Sequence, residues 1–158
     1  MRKRFIGVAI AALTLGLVAV APAGAVPGPT PDDLNLYAED ACTDTSRSDF
    51  QFHIYFNSGE GGSYRNIGYA VYDFDSVPST DGNHYVLPFC KIGASSPWPG
   101  SGQHIKNNAA SGDNTHPKYT AHVYSRSGYW GNQDVMWPMQ HHDQFVNVYN
   151  DNASFQWT

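Results

Sequence analysis

The sequence predicts an all-β fold made of two similar halves. From Phe50 onward, aromatic and β-branched residues recur in short alternating runs: FQFHIYF, IGYAVYDF, HYVLPF, YTAHVY, QFVNVY and ASFQW. Clusters of Gly, Asn, Asp, Ser and Pro separate these runs, and no stretch keeps apolar residues at helical spacing for long. One ten-residue segment is nearly repeated, as HIYFNSGEGG at 53–62 and HVYSRSGYWG at 122–131. These features predict about eight short strands in two related β units.

The start of the chain has the composition of an export signal. Arg2, Lys3 and Arg4 precede an apolar run, and Ala-Gly-Ala at 23–25 has the small-x-small pattern of a cleavage site. The apolar run is short and is closely followed by Pro and Gly, which argues against a membrane span. We therefore expect residues 1–25 to be a cleaved signal peptide and the mature protein to be secreted and extracellular.

The charge balance excludes two classes of partner. The chain has 9 Lys and Arg against 14 Asp and Glu, and three of the basic residues belong to the expected signal peptide. The mature chain then carries 6 − 14 = −8. Nucleic acids and anionic membranes are bound through basic surfaces, so we expect neither as a partner. We expect a monomer that owes its solubility outside the cell to this acidic excess.

Cysteine count and composition divide the mature chain. Cys42 and Cys90 are an even pair in an oxidising compartment, which predicts one disulfide that stabilises the fold by about 4 kcal/mol. Residues 26–49 are rich in Pro, Gly, Asp, Ser and Thr, and we expect them to form a flexible arm fixed only near Cys42. The folded domain is then predicted to span 50–158.

The repeat defines two units within that domain. Aligned at an offset of 69, the two ten-residue segments share five identities. A second echo, IKNNAAS at 105–111 and YNDNASF at 149–155, is offset by 44, so the first half should contain an insertion of 69 − 44 = 25 residues. The insertion includes PFCKIGASSPWPG. We therefore expect motif one at 50–111 and motif two at 119–158.

The repeated segment has the residues that a sharply folded hairpin needs. Glycine adopts positive φ at no steric cost, and four glycines are placed to do so: Gly59, Gly62, Gly128 and Gly131. Tyr124 is expected to pack into the core, and Tyr129 to lie across the folded hairpin. A serine from a later strand, Ser111 or Ser154, could bond the free backbone groups of the hairpin.

This pattern resembles the Greek-key motif of the βγ-crystallin family, in which an aromatic, four residues, an aromatic, one residue and Gly mark each unit. The second half matches at Tyr124, Tyr129 and Gly131. The first half matches at Tyr55 and Gly62, but Glu60 stands in place of the second aromatic, and Tyr64, Phe56 or another ring would have to cover that hairpin. The resemblance covers roughly 50–158 and implies a βγ-crystallin-like sandwich of two Greek-key motifs.

More narrowly, the chain is similar to small exported actinobacterial proteins of this fold, whose best-known relatives are metalloprotease inhibitors. The phrases YFNSGEGGSYRNIG and YNDNASFQW carry that similarity. It implies a non-enzymatic secreted binding protein, a peptidase inhibitor of an extracellular metalloprotease. The fold hosts other functions, so a structural or calcium-binding crystallin-like protein and a small killer-toxin-like antimicrobial protein stay open as alternatives. No hydrolase elbow, phosphate loop or dinucleotide fingerprint supports an enzyme.

The insertion supplies the candidate partner-binding loop. Pro97 and Pro99 flank Trp98, and the two prolines stiffen a loop whose tryptophan could anchor in a partner's pocket. The alternative is that Trp98 folds back over an open end of the core. WPM at 137–139 is a second, weaker candidate.

A weak calcium site is the one cofactor hypothesis. Calcium-binding members of the resembled family carry Asn/Asp-Asn/Asp-x-x-Ser/Thr-Ser, and Asn150, Asp151 and Ser154 match three of its positions. The alternative is that these side chains only satisfy turn backbone. The HHD run at 141–143 invites a zinc hypothesis, but adjacent histidines in a strand point to opposite faces and seldom bind one ion together.

Overall fold

The computed structural model describes residues 28–91 and 98–158, which form an all-β sandwich. A helix, α1 (Pro31–Tyr37), and a 3-10 helix (Glu39–Cys42) come first. The strands are β1 (Phe52–Asn57), β2 (Gly61–Ile67), β3 (Val77–Pro78), β4 (His84–Tyr85), β5 (Ser111–Asn114), β6 (Ala121–Arg126), β7 (Trp130–Met136), β8 (Gln140–His142) and β9 (Ser154–Trp157). In this described part, no helix is long and apolar enough to span a membrane. The expected signal peptide lies outside it.

The strands form two main antiparallel sheets that share elements of both units. One sheet has the order β2-β1-β5-β8 and the other β7-β6-β9, while β3 and β4 form a small ribbon. In each unit the last strand returns beside the first, as β5 does with β1 and β9 with β6. β8 of the second unit joins the first sheet, and Val71 of the first unit bridges to Phe155 in the second. The predicted all-β sandwich of two Greek-key units is confirmed.

The two repeated hairpins have the same backbone geometry. Every pairing in β1–β2, from Phe52↔Ile67 to Asn57↔Gly61, recurs in β6–β7 at an offset of 69, with the same irregularity near the turn. Positive φ occurs at three equivalent pairs: Gly59 and Gly128, Glu60 and Tyr129, Gly62 and Gly131. The repetition in the sequence is therefore a repetition of folding units.

The second echo is aligned differently from the sequence expectation. Ser111 pairs with Tyr55, and Ser154 pairs with Tyr124, which makes the two serines equivalent at an offset of 43 rather than 44. The insertion is accordingly 69 − 43 = 26 residues. The offset of 44 was wrong because it aligned similar letters, whereas the strand register is fixed by the turn that precedes Ser111 and Ser154.

The core lies between the two sheets. The rings of Phe52 and Phe155 stack across it with centroids 4.4 Å apart and planes 8° from parallel. The insertion contributes Leu87 and Phe89, which are fully buried in the same cluster. Rings that each bury a large area supply the volume that a leucine-poor chain otherwise lacks.

The expectation of a flexible arm is wrong for the described residues from Thr30 onward. Thr30 and Asp33 form a capping box that starts α1, and the Asn35 side chain is fully buried. The buried guanidinium of Arg65 donates to the carbonyls of Asn35 and Leu36 at 2.6 and 2.8 Å. The composition of the segment indicated a flexible arm because the segment contains few apolar residues. The segment is instead held by its backbone carbonyls, which accept hydrogen bonds from polar side chains of β2.

The predicted disulfide is confirmed. Cys42 and Cys90 are bonded with their Cα atoms 5.6 Å apart. The bond joins the end of the 3-10 helix to the insertion. It therefore holds two segments, both outside the repeated strands, against the first unit.

Candidate binding site

A cleft of about 400 Å³ opens at the end of the sandwich opposite the two folded hairpins. It lies where β1 begins, where β2 and β9 end, and where the connection between the two units passes. Five rings line it: Phe50, Tyr69, His116, Tyr119 and Trp157. Its volume falls in the range of about 300 to 1,000 Å³ that is typical of small-molecule sites, which are also mostly apolar with few polar groups.

The cleft walls are held in place before any ligand arrives. Phe50 is buried and meets the exposed ring of Tyr69 edge to face, with centroids 5.7 Å apart. The Trp157 indole donates from Nε1 to the carbonyl of Gly68 at 3.0 Å and packs edge-on against Phe155. A Cβ at Gly68 would lie 2.4 Å from the Phe50 ring, so the wall requires glycine there. Side chains fixed in this way lose little entropy when a ligand binds.

His116 presents a hydrogen-bond donor among these rings. Its Nδ1 accepts the backbone N–H groups of Lys118 and Tyr119 at 3.0 and 2.9 Å, so the neutral ring carries its proton on Nε2. The imidazole packs between the rings of Tyr119 and Trp157, with centroids 4.6 and 5.4 Å away. The cleft therefore has an oriented N–H donor in an otherwise aromatic wall.

The polar groups of the cleft are Asp49, Gln51 and Thr158. Asp49 is exposed, and its backbone N–H donates to the Asp40 carboxylate at 3.0 Å. Within residues 28–91 and 98–158, the Asp49 carboxylate takes part in no ion pair. The Lys118 ammonium lies over one of these rings, with Nζ 5.0 Å from the Tyr119 ring centroid.

The cleft contains residues from equivalent positions of the two units, and this is the signal that sequence reasoning missed. At the offset of 69, Phe50 corresponds to Tyr119, and Asp49 corresponds to Lys118. The ten-residue repeat covers only the strands and the hairpin tips. The same offset also places one ring just before β1 and another just before β6. Extending the alignment three residues upstream would have found them.

The predicted partner-binding loop packs against the first hairpin. Trp98 is half-buried, with its ring edge-on to Tyr64 at a centroid distance of 5.9 Å. The carbonyl of Pro99 accepts the Ser63 N–H at 2.8 Å. Pro97 lies outside the described residues. This geometry corresponds to the alternative in which Trp98 folds back, and the partner-binding role of Pro97, Trp98 and Pro99 stays a prediction.

The second loop candidate is more exposed. Trp137 and Met139 are 65% and 69% exposed, and the Met139 N–H donates to the carbonyl of His116 at 3.3 Å. The WPM segment thus borders the connection that lines the cleft. It extends the aromatic surface at that end of the molecule.

The two hairpins are covered by different rings. In the second unit Tyr129 packs against Tyr124 and against Tyr72, with centroids 6.1 and 5.6 Å away, as expected. In the first unit Glu60 occupies the equivalent position, and Tyr64 packs on Tyr55 at 6.0 Å. Of the sequence alternatives, Tyr64 is the covering ring, because Phe56 turns instead to Phe89. Burial raises the pKa of the Tyr55 hydroxyl well above its usual value.

The residues of the calcium hypothesis are engaged in turn geometry. The Ser154 hydroxyl donates to the Arg126 carbonyl at 2.7 Å and accepts the Tyr129 N–H at 3.1 Å. Asn150 has φ of 49°, and Asp151 is exposed. Ser154 thus makes the same two bonds to its hairpin that Ser111 makes in the first unit. Calcium binding stays a prediction, and the absence of heat on titration with millimolar calcium would end it.

The adjacent histidines of β8 face opposite sides, as expected. His141 lies near Glu60 and near Asp143, each at 3.9 Å, and all three side chains are exposed. His142 instead points towards Asp134, at 3.7 Å. One ligand atom from each of these three residues lies within 4.8 Å of the others, although the two carboxylates approach different ring nitrogens of His141.

Comparison with known proteins adds little to this geometry. No family model matches the chain, and no curated protein matches it in sequence. The chain is similar to a solved structure described as "Evolution of the eye lens beta-gamma-crystallin domain fold", with a TM-score of 0.45 and 11% identity. That likeness covers 69% of this chain and 85% of the other.

Proposed function

We propose that the protein is a non-enzymatic binding protein that takes a small ligand in the aromatic cleft. The observation that carries the proposal is the cleft itself, a cavity of about 400 Å³ walled by five rings from four segments of the chain. Its size, aromatic walls and few polar groups are those of a ligand site. The walls are prepositioned by hydrogen bonds and ring contacts, which lowers the ordering cost of binding.

A hydroxyl–imidazole pair beside the cleft has a structural role. His122 Nε2 lies 2.8 Å from Thr158 Oγ1, which superficially suggests a nucleophile and its base. The same pair recurs in the first unit, where His53 Nε2 lies 3.2 Å from Thr115 Oγ1 and His53 is fully buried. A repeated contact that is closed to substrate in one unit serves to hold neighbouring strands together. The pair is therefore not an argument for catalysis.

The test is a ligand screen by thermal shift with two matched variants. Tyr119 is 43% exposed and lines the cleft, whereas Tyr149 is 45% exposed and does not line it. A ligand at 100 times its Kd stabilises the folded state by about 2.7 kcal/mol, a readily detected shift. We expect hits whose shift disappears in Tyr119→Ala and persists in Tyr149→Ala. If every hit behaves alike in both variants, the cleft is not the site.

A second candidate function is inhibition of a secreted metalloprotease through the insertion. It is supported by the anchoring of the chain on both sides of residues 92–97, by the disulfide at Cys90 and by the bond from Ser63 to Pro99. Such anchoring lowers the entropic cost of binding a partner through Trp98 and Pro99. It is tested by inhibition of a thermolysin-type protease, with loss of potency expected in Trp98→Ala and not in Trp130→Ala, a tryptophan that is 73% exposed on β7. Equal potency of all three proteins would refute the loop.

A further inference from the structure

We propose that the cleft selects a small organic cation that carries a quaternary or alkylated ammonium group. This inference rests on the proposed binding function and names the ligand class of the same site. The electron-rich faces of aromatic rings attract cations, and a cage of several rings replaces the loose hydration of a methylated ammonium better than that of a primary one. Tyr69, Tyr119 and Trp157 supply such rings around one opening.

The charges around the opening favour a cation. The Asp49 carboxylate stands at the cleft in no ion pair within the described residues, and Asp40 lies next to it. Among the residues that the structure describes, no Lys or Arg lines the cleft. The carboxylate in the lining is therefore negative, whereas the Lys118 ammonium lies beside Tyr119 and outside the lining. An anion would face the Asp49 carboxylate at the opening, which opposes its binding.

Lys118 provides an internal indication that these rings accept a cation. Its ammonium lies 5.0 Å from the centroid of the Tyr119 ring, within the distance of a cation–π contact. Lys118 does not line the cleft, but its positive charge opposes that of a cationic ligand near Tyr119. Removing this charge should therefore strengthen binding of a cation and leave binding of a neutral molecule unchanged.

A neutral polar ligand such as a saccharide is less well matched. Sugars need several convergent hydrogen-bonding groups, and the polar side chains here are few. One of them, the Thr158 hydroxyl, already bonds His122. The rings could still stack on a sugar, so a saccharide is an outcome that the experiment must separate from the ammonium ligand.

The experiment compares two isosteric probes by calorimetric titration of the protein. Choline carries a trimethylammonium group, and 3,3-dimethyl-1-butanol has the same shape without the charge. We expect choline to bind about 3- to 30-fold more tightly, the range that corresponds to typical cation–π energies. Cellobiose serves as the saccharide probe. Equal affinity for choline and the neutral analogue would overturn the proposal.

Three variants test the assignment of charges and rings. Asp49→Asn should weaken choline binding several-fold and reduce its dependence on salt, because it removes the one carboxylate that lines the cleft. Lys118→Gln should strengthen choline binding. Tyr119→Ala should abolish it, while Tyr119→Phe keeps the ring and should retain most of it. Thermal denaturation checks that each variant is folded, and none of these changes should alter the affinity of the neutral analogue except Tyr119→Ala.

The outcomes separate this inference from the binding function. If cellobiose or the neutral analogue binds and choline does not, with loss in Tyr119→Ala, the ligand class is wrong and the binding function stands. If no probe binds and the thermal-shift screen also finds no hit that depends on Tyr119, both proposals fail. If choline binds equally to wild type, Asp49→Asn and Tyr119→Ala, its site is elsewhere and the inference is refuted.

Discussion

Arg65 and Asp134 occupy equivalent positions in the two units, and each is a buried charge that binds the backbone of a segment outside its hairpin. The Arg65 guanidinium donates to the carbonyls of Asn35, Leu36 and Pro88. Asp134 Oδ2 accepts three consecutive backbone N–H groups, from 146 to 148, at 2.9 to 3.0 Å. Equivalent positions of the two units therefore carry opposite charges, because one neighbouring segment presents backbone carbonyls and the other presents backbone N–H groups.

Arg65→Met should destabilise the protein by about 3 to 5 kcal/mol, because it leaves several backbone carbonyls without donors where water does not reach them. Burial lowers the pKa of Arg65 to about 10, so its guanidinium is still charged at neutral pH. The measurement is urea denaturation, together with hydrogen exchange of α1. Arg47→Met, at an exposed position, is the control and should change stability by less than about 0.5 kcal/mol. A loss below 1 kcal/mol in Arg65→Met would contradict the role of this contact.

Acidification from pH 7.5 to 5 should destabilise the fold through His53. Burial lowers the pKa of His53, and its hydrogen bond to Asn66 opposes this only in part. The unfolded chain takes up a proton near its ordinary pKa of about 6.5 while the folded chain keeps the ring neutral, so stability falls as pH drops below that value. His122 occupies the equivalent position but is only half-buried.

The pair gives a matched comparison of urea midpoints at the two pH values. His53→Gln should have lower stability at pH 7.5 and a smaller further loss at pH 5 than wild type. His122→Gln should show the full loss of wild type. If His53→Gln loses as much stability between the two pH values as wild type does, the buried imidazole is not the source.

Ser111→Ala and Ser154→Ala should each cost about 1 to 3 kcal/mol. The Ser111 hydroxyl donates to the Asn57 carbonyl at 2.7 Å and accepts the Glu60 N–H at 3.1 Å, and Ser154 makes the equivalent pair of bonds in the second unit. Alanine would leave both backbone groups of a folded hairpin without partners. Chemical denaturation measures the loss, and exposed Ser46 is the control position. Losses no larger than that of Ser46→Ala would show that water replaces the hydroxyl.

Reduction of the disulfide should lower stability by about 4 kcal/mol in the chain-entropy model, since the bond closes a loop across a sequence separation of 48. Comparison of the oxidised protein with Cys42→Ser/Cys90→Ser in urea measures this directly. Treating the double variant with reductant is the control and should change nothing. A double variant as stable as wild type would mean that packing of the 3-10 helix alone fixes the segment.

The repeat could be predicted because the geometry of each hairpin depends on residues that are close together in the sequence. Positive φ at Gly62 and Gly131, alternating strands and the paired serines follow from residue types at fixed spacing. The cysteine pairing also followed, since only one connection exists between Cys42 and Cys90. Glu60 shows the limit of this reasoning: its positive φ is imposed by the hairpin on either side, although the residue itself does not favour it.

The packing of the N-terminal segment could not be predicted from composition. Five consecutive residues of β2, from Ser63 to Ile67, are buried, whereas the equivalent strand β7 is mostly exposed. The two equivalent strands therefore differ in burial, because the outer face of the first sheet is covered and that of the second sheet is open. Only the polar residues Arg65 and Asn66 in β2 hinted at this cover, through hydrogen bonds to backbone more than 20 residues away in the sequence.

The sequence by itself determined the duplicated hairpins and the disulfide, because each depends on residues at a fixed local spacing or on a count with one solution. The runs IGYAVYDF at 67–74 and QFVNVY at 144–149, expected as strands, lie almost entirely outside the strands, because irregular segments also bury alternate residues such as Val71 and Phe145 in the core. The tertiary structure alone decided that the N-terminal segment packs on β2, that Trp98 leans on Tyr64, and that Phe50, Tyr119 and Trp157 enclose a cleft. Those three rings are brought together by the closing of two sheets around one core. Such convergence depends on long-range strand pairing, which no short stretch of sequence encodes.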